Sequence, residues 1–374
     1  MKHYLPTLIL LLLAMPLPAQ KLLPRQLKYV DADSIVIWES GKSDLRGLAL
    51  KIAPELVPQP VSAKDMPRKE LRRRLREWTE EIAPALNLAG GSGDETTQPQ
   101  AEAAERTVKA AAPLLLATGD SRFADALERA AVNALPAEIK ADGRLTFEKR
   151  LAARTLLDIT GMIYATDRDE VYVNYYLNNS THIRTKQLDV VIDQLTAMPH
   201  SGRVKLRISG LHKNGTPLKL RLRIPAWARG NIFPEEKYTT GNQWPLPTVY
   251  VNGREEFFSM ERGYLTIARE WNSGDEVYFD LPFSLQKVRK TDTRSASSIA
   301  LMRGPLLYSL TKDIPGYLLT KESKITEQEE PDRYGQTLLD ITLHRAGDSE
   351  MQEIHAEARP YQTERATVWL PEAK

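Results

Sequence analysis

Beyond Gly161 the apolar residues of this chain stop recurring at helical spacing and begin to alternate with polar ones, and that change of period limits what the rest can become. Val204, Leu206 and Ile208 alternate with Lys205, Arg207 and Ser209, the pattern of a strand with one buried and one wet face. Leu218, Leu220, Leu222 and Ile224 repeat it against Lys219, Arg221 and Arg223. Between the two runs His212-Lys213-Asn214-Gly215 carries turn chemistry, so a hairpin is expected. Val171 with Val173 and Tyr175, Leu265 with Ile267, and Val277 with Phe279 and Leu281 read as further strands, punctuated by turns at Asn252-Gly253 and at 272–275. Short strands with no helices between them predict an antiparallel β-sandwich over residues 162–310. A second, smaller β unit is expected over 311–374, where Leu339, Ile341 and Leu343 alternate and 366–370 reads as a closing strand. The polar stretch 311–336, with Glu327 and Glu329, reads as a loop.

Ahead of Gly161 the pattern is helical. From Pro67, Leu71, Leu75, Trp78 and Ile82 recur at spacings of four and three, while Arg72, Arg73, Arg74 and Arg76 share the other faces with Glu70, Glu77, Glu80 and Glu81 as a solvated surface. Helices are also predicted over 102–117, over 121–133 behind Asp120 as N-cap, and over 147–161. Residues 87–101 read as a loop, and 21–60 as irregular with one short strand at 34–38. The fold class is therefore mainly β, with a short α-helical region at 20–161 before the sandwich.

Composition narrows the function. The chain opens with Lys2 and His3, an apolar run at 8–13, then Pro16, Pro18 and Ala19, the layout of a secretory signal peptide over 1–19. That run is too short to span a bilayer, so no membrane span is expected. Export to a bacterial periplasm or cell surface follows. None of the 374 residues is cysteine, which excludes disulfides, thiolate metal sites and a cysteine nucleophile. With 51 basic and 49 acidic side chains the formal charge is +2, too little to draw nucleic acid. The six histidines show no metal-binding spacing, and no serine-hydrolase elbow, phosphate loop or dinucleotide fingerprint is present.

Several strings resemble one family. They include Leu115-Leu116-Ala117-Thr118-Gly119-Asp120, Gly161-Met162-Ile163-Tyr164, Leu222-Arg223-Ile224-Pro225-Ala226-Trp227-Ala228, Gly263-Tyr264-Leu265 and Arg303-Gly304-Pro305-Leu306-Leu307-Tyr308. In order and spacing they resemble family 127 of the glycoside hydrolases, the β-L-arabinofuranosidases. The resemblance implies β-sandwich domains behind a truncated (α/α)6 barrel, and carbohydrate as ligand class. It also implies a departure. The family's paired cysteines fall on Glu148-Lys149, and its Glu-x-Cys segment falls on Glu102-Ala103-Ala104, so the cysteine nucleophile and the zinc site are lost and no cofactor is expected. Two readings remain: a protein that no longer catalyses, or a hydrolase using two carboxylates in a remodelled helical pocket, with Glu102 and Glu148 as candidates. Trp227 and Tyr264 are candidate sugar-stacking rings; packing and stacking both bury a ring face, and the sequence leaves the two open.

Overall fold

Each change of period marks a change of layer. The computed structural model describes residues 27–30, 35–37, 45–55, 66–92, 100–141, 144–241, 243–292, 298–329, 337–345, 352–361 and 367–373. Residues 1–19, where a signal peptide is expected, lie outside them. No helix among the described residues is long and apolar enough to cross a membrane.

The helical layer follows two short strands, β1 (Lys28–Tyr29) and β2 (Ile35–Ile37), and comprises α1 (Leu45–Ile52), α2 (Arg68–Glu77), α3 (Ala83–Ala85), α4 (Ala101–Thr118), α5 (Ser121–Arg129), α6 (Leu135–Lys140) and α7 (Phe147–Thr160). Capping sets the ends. Asp120 accepts from the Arg122 N–H to open α5, and Thr146 accepts from the Lys149 N–H to open α7. Single π-helical turns, Trp78–Ile82 and Ala130–Ala134, join α2 to α3 and α5 to α6. In each a backbone N–H reaches five residues back, Ala83 to Trp78 and Leu135 to Ala130, and the next residue is a proline with no N–H to give. A proline one place later thus accounts for the widened turn.

The sandwich strands are β3 (Tyr164–Asp167), β4 (Glu170–Val173), β5 (Asn179–Arg184), β6 (Asp189–Thr196), β7 (Arg203–Ser209) and β8 (Thr216–Arg223). After the short β9 (Tyr238–Thr239) come β10 (Val249–Val251), β11 (Arg254–Glu255), β12 (Ser259–Glu261), β13 (Tyr264–Trp271) and β14 (Glu276–Asp280). They form a six-stranded sheet, β1-β3-β4-β8-β13-β12, and a seven-stranded sheet, β11-β10-β14-β7-β6-β5-β2. The expected hairpin of β7 with β8 does not form. β7 pairs with β6 and β14, whereas β8 pairs with β13 and, in parallel, with β4. Both runs alternate because each faces the same core from opposite sides, and residues 210–215 carry the chain from one sheet to the other.

The wet face expected on β8 is dry towards the end of the strand, although Lys219 stays partly exposed. Arg223 is fully buried and Arg221 nearly so, because the helices cover the outer face of the six-stranded sheet. One continuous apolar core accordingly runs from Leu115, Phe123, Leu127 and Leu156 of the helices to Leu220, Leu222, Trp271 and Phe279 of the strands. Trp271 is fully buried and donates its indole N–H to the Leu218 carbonyl at 2.9 Å.

A third sheet takes β15 (Leu285–Lys290), β16 (Ser298–Arg303), β17 (Leu306–Leu310), β18 (Tyr317–Leu318), β19 (Ile325–Glu329), β20 (Thr337–Arg345), β21 (Glu353–Pro360) and β22 (Leu370–Pro371), together with β9. It begins at Leu285, ahead of the boundary expected at 310, because β16 pairs on both sides within this sheet. The stretch read as a loop holds β19, paired with β20 from Ile325↔Ile341 to Glu329↔Thr337. Its charges misled because it lies against one neighbour only and leaves its side chains in water.

Between the second and third sheets His200 is largely buried, and burial, with Lys140 and Arg303 nearby, holds its imidazole down at about 4. A folded-state value below the ordinary 6.5 means the unfolded chain binds the proton more readily, so this stability is present above pH 6.5 and lost as pH falls towards 4. The loss should reach on the order of 3 kcal/mol by pH 4. Urea titrations at pH 7 and pH 5 are expected to show a smaller difference for His200→Gln than for the parent chain. Equal differences would remove His200 from the acid response.

Candidate functional site

A solvent-open cleft of about 770 Å³ opens in the helical layer. One wall is the end of α2, the first π turn and α3; the other is α4, and α7 adds Phe147 and Leu151. On α4 the spacing of Ala103, Thr107 and Ala110 brings one stripe of small side chains to the cleft, flanked by Glu102, Glu105, Arg106 and Lys109. The π turn brings Glu81 and Ile82 to the opposite wall, followed by Ala85 and Leu86. The floor is thus partly apolar and the rim charged.

Most rim charges are already paired along their own helices. Arg73 donates to Glu70 and Glu77, Arg74 donates to Glu70 at 2.7 Å, and Lys109 meets Glu105 at 2.6 Å. The two guanidinium groups hold the Glu70 carboxyl down at about 2. Glu81, Glu102 and Arg106 make no ion pair with another described residue. Phe147 stands 67% exposed beside them, unusual for a ring of that size.

The structure separates the carboxylates expected to act together. Glu102 is exposed and lines the cleft, but Glu148 does not line it; the helical turn at the start of α7 directs Phe147 there instead. Glu81 is the unpaired carboxylate that shares the cleft with Glu102. Periodicity alone puts Glu81 on a solvated helix face and does not single out Phe147 or Arg106. An aromatic at the first turn of a helix, flanked by Leu145, was the signal available.

Trp227 and Tyr264 are corrected as stacking candidates, since neither ring is available to a sugar. Trp227 is 5% exposed, with its ring edge-on to Phe283 and its N–H donated to Glu128 at 3.0 Å. Tyr264 is fully buried beside Arg223, on the sheet face that the helices cover, and its hydroxyl donates to the Asn174 side chain at 2.7 Å. Both belong to the network joining the layers. Arg223 donates to Asp125 at 2.6 Å, to Glu128, and to the Asn174 carbonyl at 2.6 Å, while the Ala226 N–H also reaches Asp125. Burial works against the guanidinium charge, but Glu128 and Asp125 outweigh it and hold the group firmly protonated.

Among the described residues no three histidine, aspartate or glutamate side chains are grouped to hold a metal ion. The positions the resemblance assigns to zinc do not fit it. Ala104 is a buried methyl group without a donor atom, and Lys149 is a cation whose ammonium donates to the Ala141 carbonyl.

Residues 170–283, from β4 to just beyond β14, match the family description "Beta-L-arabinofuranosidase, GH127 middle domain". Among solved structures, a GH127 β-arabinofuranosidase superposes with a TM-score of 0.72 at 22% identity, over 88% of this chain and 59% of that one. A GH127 β-L-arabinofuranosidase from Geobacillus stearothermophilus T6 gives 0.68 at 20% identity, again over 88% and 59%. A third, described as a glycoside hydrolase, gives 0.66 at 16% identity over 88% and 65%. No curated protein matches the sequence. The chain has the GH127 fold and spans about three fifths of the length of the first two structures it matches.

Proposed function

We propose that this GH127-like chain is an exported carbohydrate-binding protein that holds a saccharide in its helical cleft and does not carry out cysteine- and zinc-dependent hydrolysis. The observation that carries the reading is the cleft itself, where the exposed Phe147 ring stands with two carboxylates and a guanidinium that make no ion pair with another described residue. A sugar ring has an apolar face to lay on an aromatic and hydroxyls around its edge. Glu81 and Glu102 accept hydrogen bonds from those hydroxyls, and Arg106 donates to their oxygens. The family's cysteine-dependent attack needs a thiolate, and none of the 374 residues is cysteine. The opening residues 1–19 support export.

Calorimetry with arabinose-containing oligosaccharides tests the reading. Binding should weaken about fivefold to tenfold in Phe147→Ala, in keeping with the worth of one stacked ring. Hydrolysis of an aryl β-L-arabinofuranoside should run no faster than in buffer. Turnover that survives repurification and falls about a hundredfold in Glu102→Gln would replace this reading with a two-carboxylate hydrolase.

A further inference from the structure

The outer face of the seven-stranded sheet carries a row that the cleft does not explain. Register places Glu255, Tyr250, Tyr278, Lys205 and Leu195 side by side across β11, β10, β14, β7 and β6. Their neighbours along the strands, Val249, Val251, Val277, Phe279, Val204 and Leu206, are buried between the sheets, so the row faces outward. The Tyr250 and Tyr278 rings lie 6.5 Å apart at a 38° tilt, and Tyr250 and Leu195 are exposed. Phe257, two residues beyond Glu255, is 91% exposed.

We infer that this row is a second binding surface, for an extended uncharged polysaccharide. Two observations select that occupant. The two paired rings sit in a one-residue-wide row between Glu255 and Lys205 rather than in a broad apolar patch, which suits a linear polymer better than a folded protein. The charges beside the line cancel locally, Lys205 with Glu276 at 2.9 Å and Arg203 with Asp280 at 4.0 Å, so nothing there attracts a polyanion. The Tyr278 hydroxyl donates to Asp280, which fixes one ring edge and leaves its faces to adjacent sugar units. Cross-strand stacking of the two tyrosines supports the sheet as well, and binding is the property that separates the roles. The choice of a saccharide rests on the function proposed above; the surface itself stands apart from the cleft.

Affinity electrophoresis of the full chain through gels containing linear arabinan, arabinoxylan or mixed-linkage β-glucan, with polygalacturonate as the charged control, tests it. Retardation by at least one neutral polymer and none by polygalacturonate is expected. Tyr250→Ala with Tyr278→Ala should weaken retardation by about tenfold or more, and Tyr250→Phe with Tyr278→Phe should keep it. The double tyrosine-to-alanine variant should keep its oligosaccharide affinity in calorimetry, whereas Phe147→Ala should lower it, which separates failure of this surface from failure of the cleft. Thermal melts check that each variant folds, and single Tyr→Ser variants give a second reading. The inference is overturned by no retardation in any neutral gel, by retardation that survives loss of both rings, or by a self-association in size-exclusion chromatography that the same variants abolish.

Discussion

An Arg223→Met variant should lose about 3–5 kcal/mol of stability, because it removes the cation and leaves two carboxylates buried without it. Asp125 and Glu128 are each 6% exposed at the side chain, and Arg223 is fully enclosed. Neither carboxylate can turn to water without moving α5 off the sheet. Methionine fills a similar space, so little of the loss would come from a cavity. The denaturation midpoint in urea reads the effect. A triple variant, Asp125→Leu with Glu128→Met and Arg223→Met, should recover much of it, since a packed apolar trio avoids the desolvation that the ions suffer. A loss below about 1 kcal/mol in the single variant would mean that water already reaches the carboxylates, and the dry network would have to be abandoned.

Gly90→Ala should cost about 2–5 kcal/mol and impair the cleft with it. Gly90 has φ +91°, in the left-handed region that L side chains rarely adopt. A Cβ there would come within 2.5 Å of the Ala130 backbone nitrogen and 2.8 Å of the Arg129 carbonyl carbon. Backbone atoms cannot swing aside as a side-chain end can, so the turn from Leu86 to Ser92 must lift away from the second π turn. Leu86 and Ser92 both line the cleft, and saccharide affinity should therefore fall together with stability. Gly316→Ala is the control: its φ is +83°, but no atom lies within 4 Å of the added carbon, so it should show only the backbone strain of about 1–2 kcal/mol. Equal losses in the two variants would rule out the close approach as the cause.

Much of the architecture was legible, and the particular failures have one physical source. The helices behind Asp120 and Thr146, the two-residue alternation after Gly161 and the turn at Asn252-Gly253 are local signals, and they appear where local chemistry puts them. Partner choice is not local. Val204 and Leu218 alternate alike whether their strands pair in one sheet or face each other across two. Arg223 read as a wet-face residue because its partners, Asp125 and Glu128, lie nearly a hundred positions earlier. Trp227 and Tyr264 could not be told from sugar platforms until the helices above them were in place. In the cleft, Glu102 could be named from the sequence, but Phe147 and Glu81 depended on a cap and a π turn that set which way each helix faces.

The two shortest early strands carry a consequence for synthesis. β1 and β2 lie within ten residues of each other, yet β1 seals the β3 edge of one sheet and β2 seals the β5 edge of the other. Lys28 must wait for Thr166 and Ile35 for Thr181, which at about 5–20 residues per second places roughly seven to thirty seconds between the emergence of each strand and that of its partner on a ribosome. The strands that finish the sandwich are thus made first. Being only two and three residues long, they offer a neighbouring nascent chain too little ladder to capture during that interval.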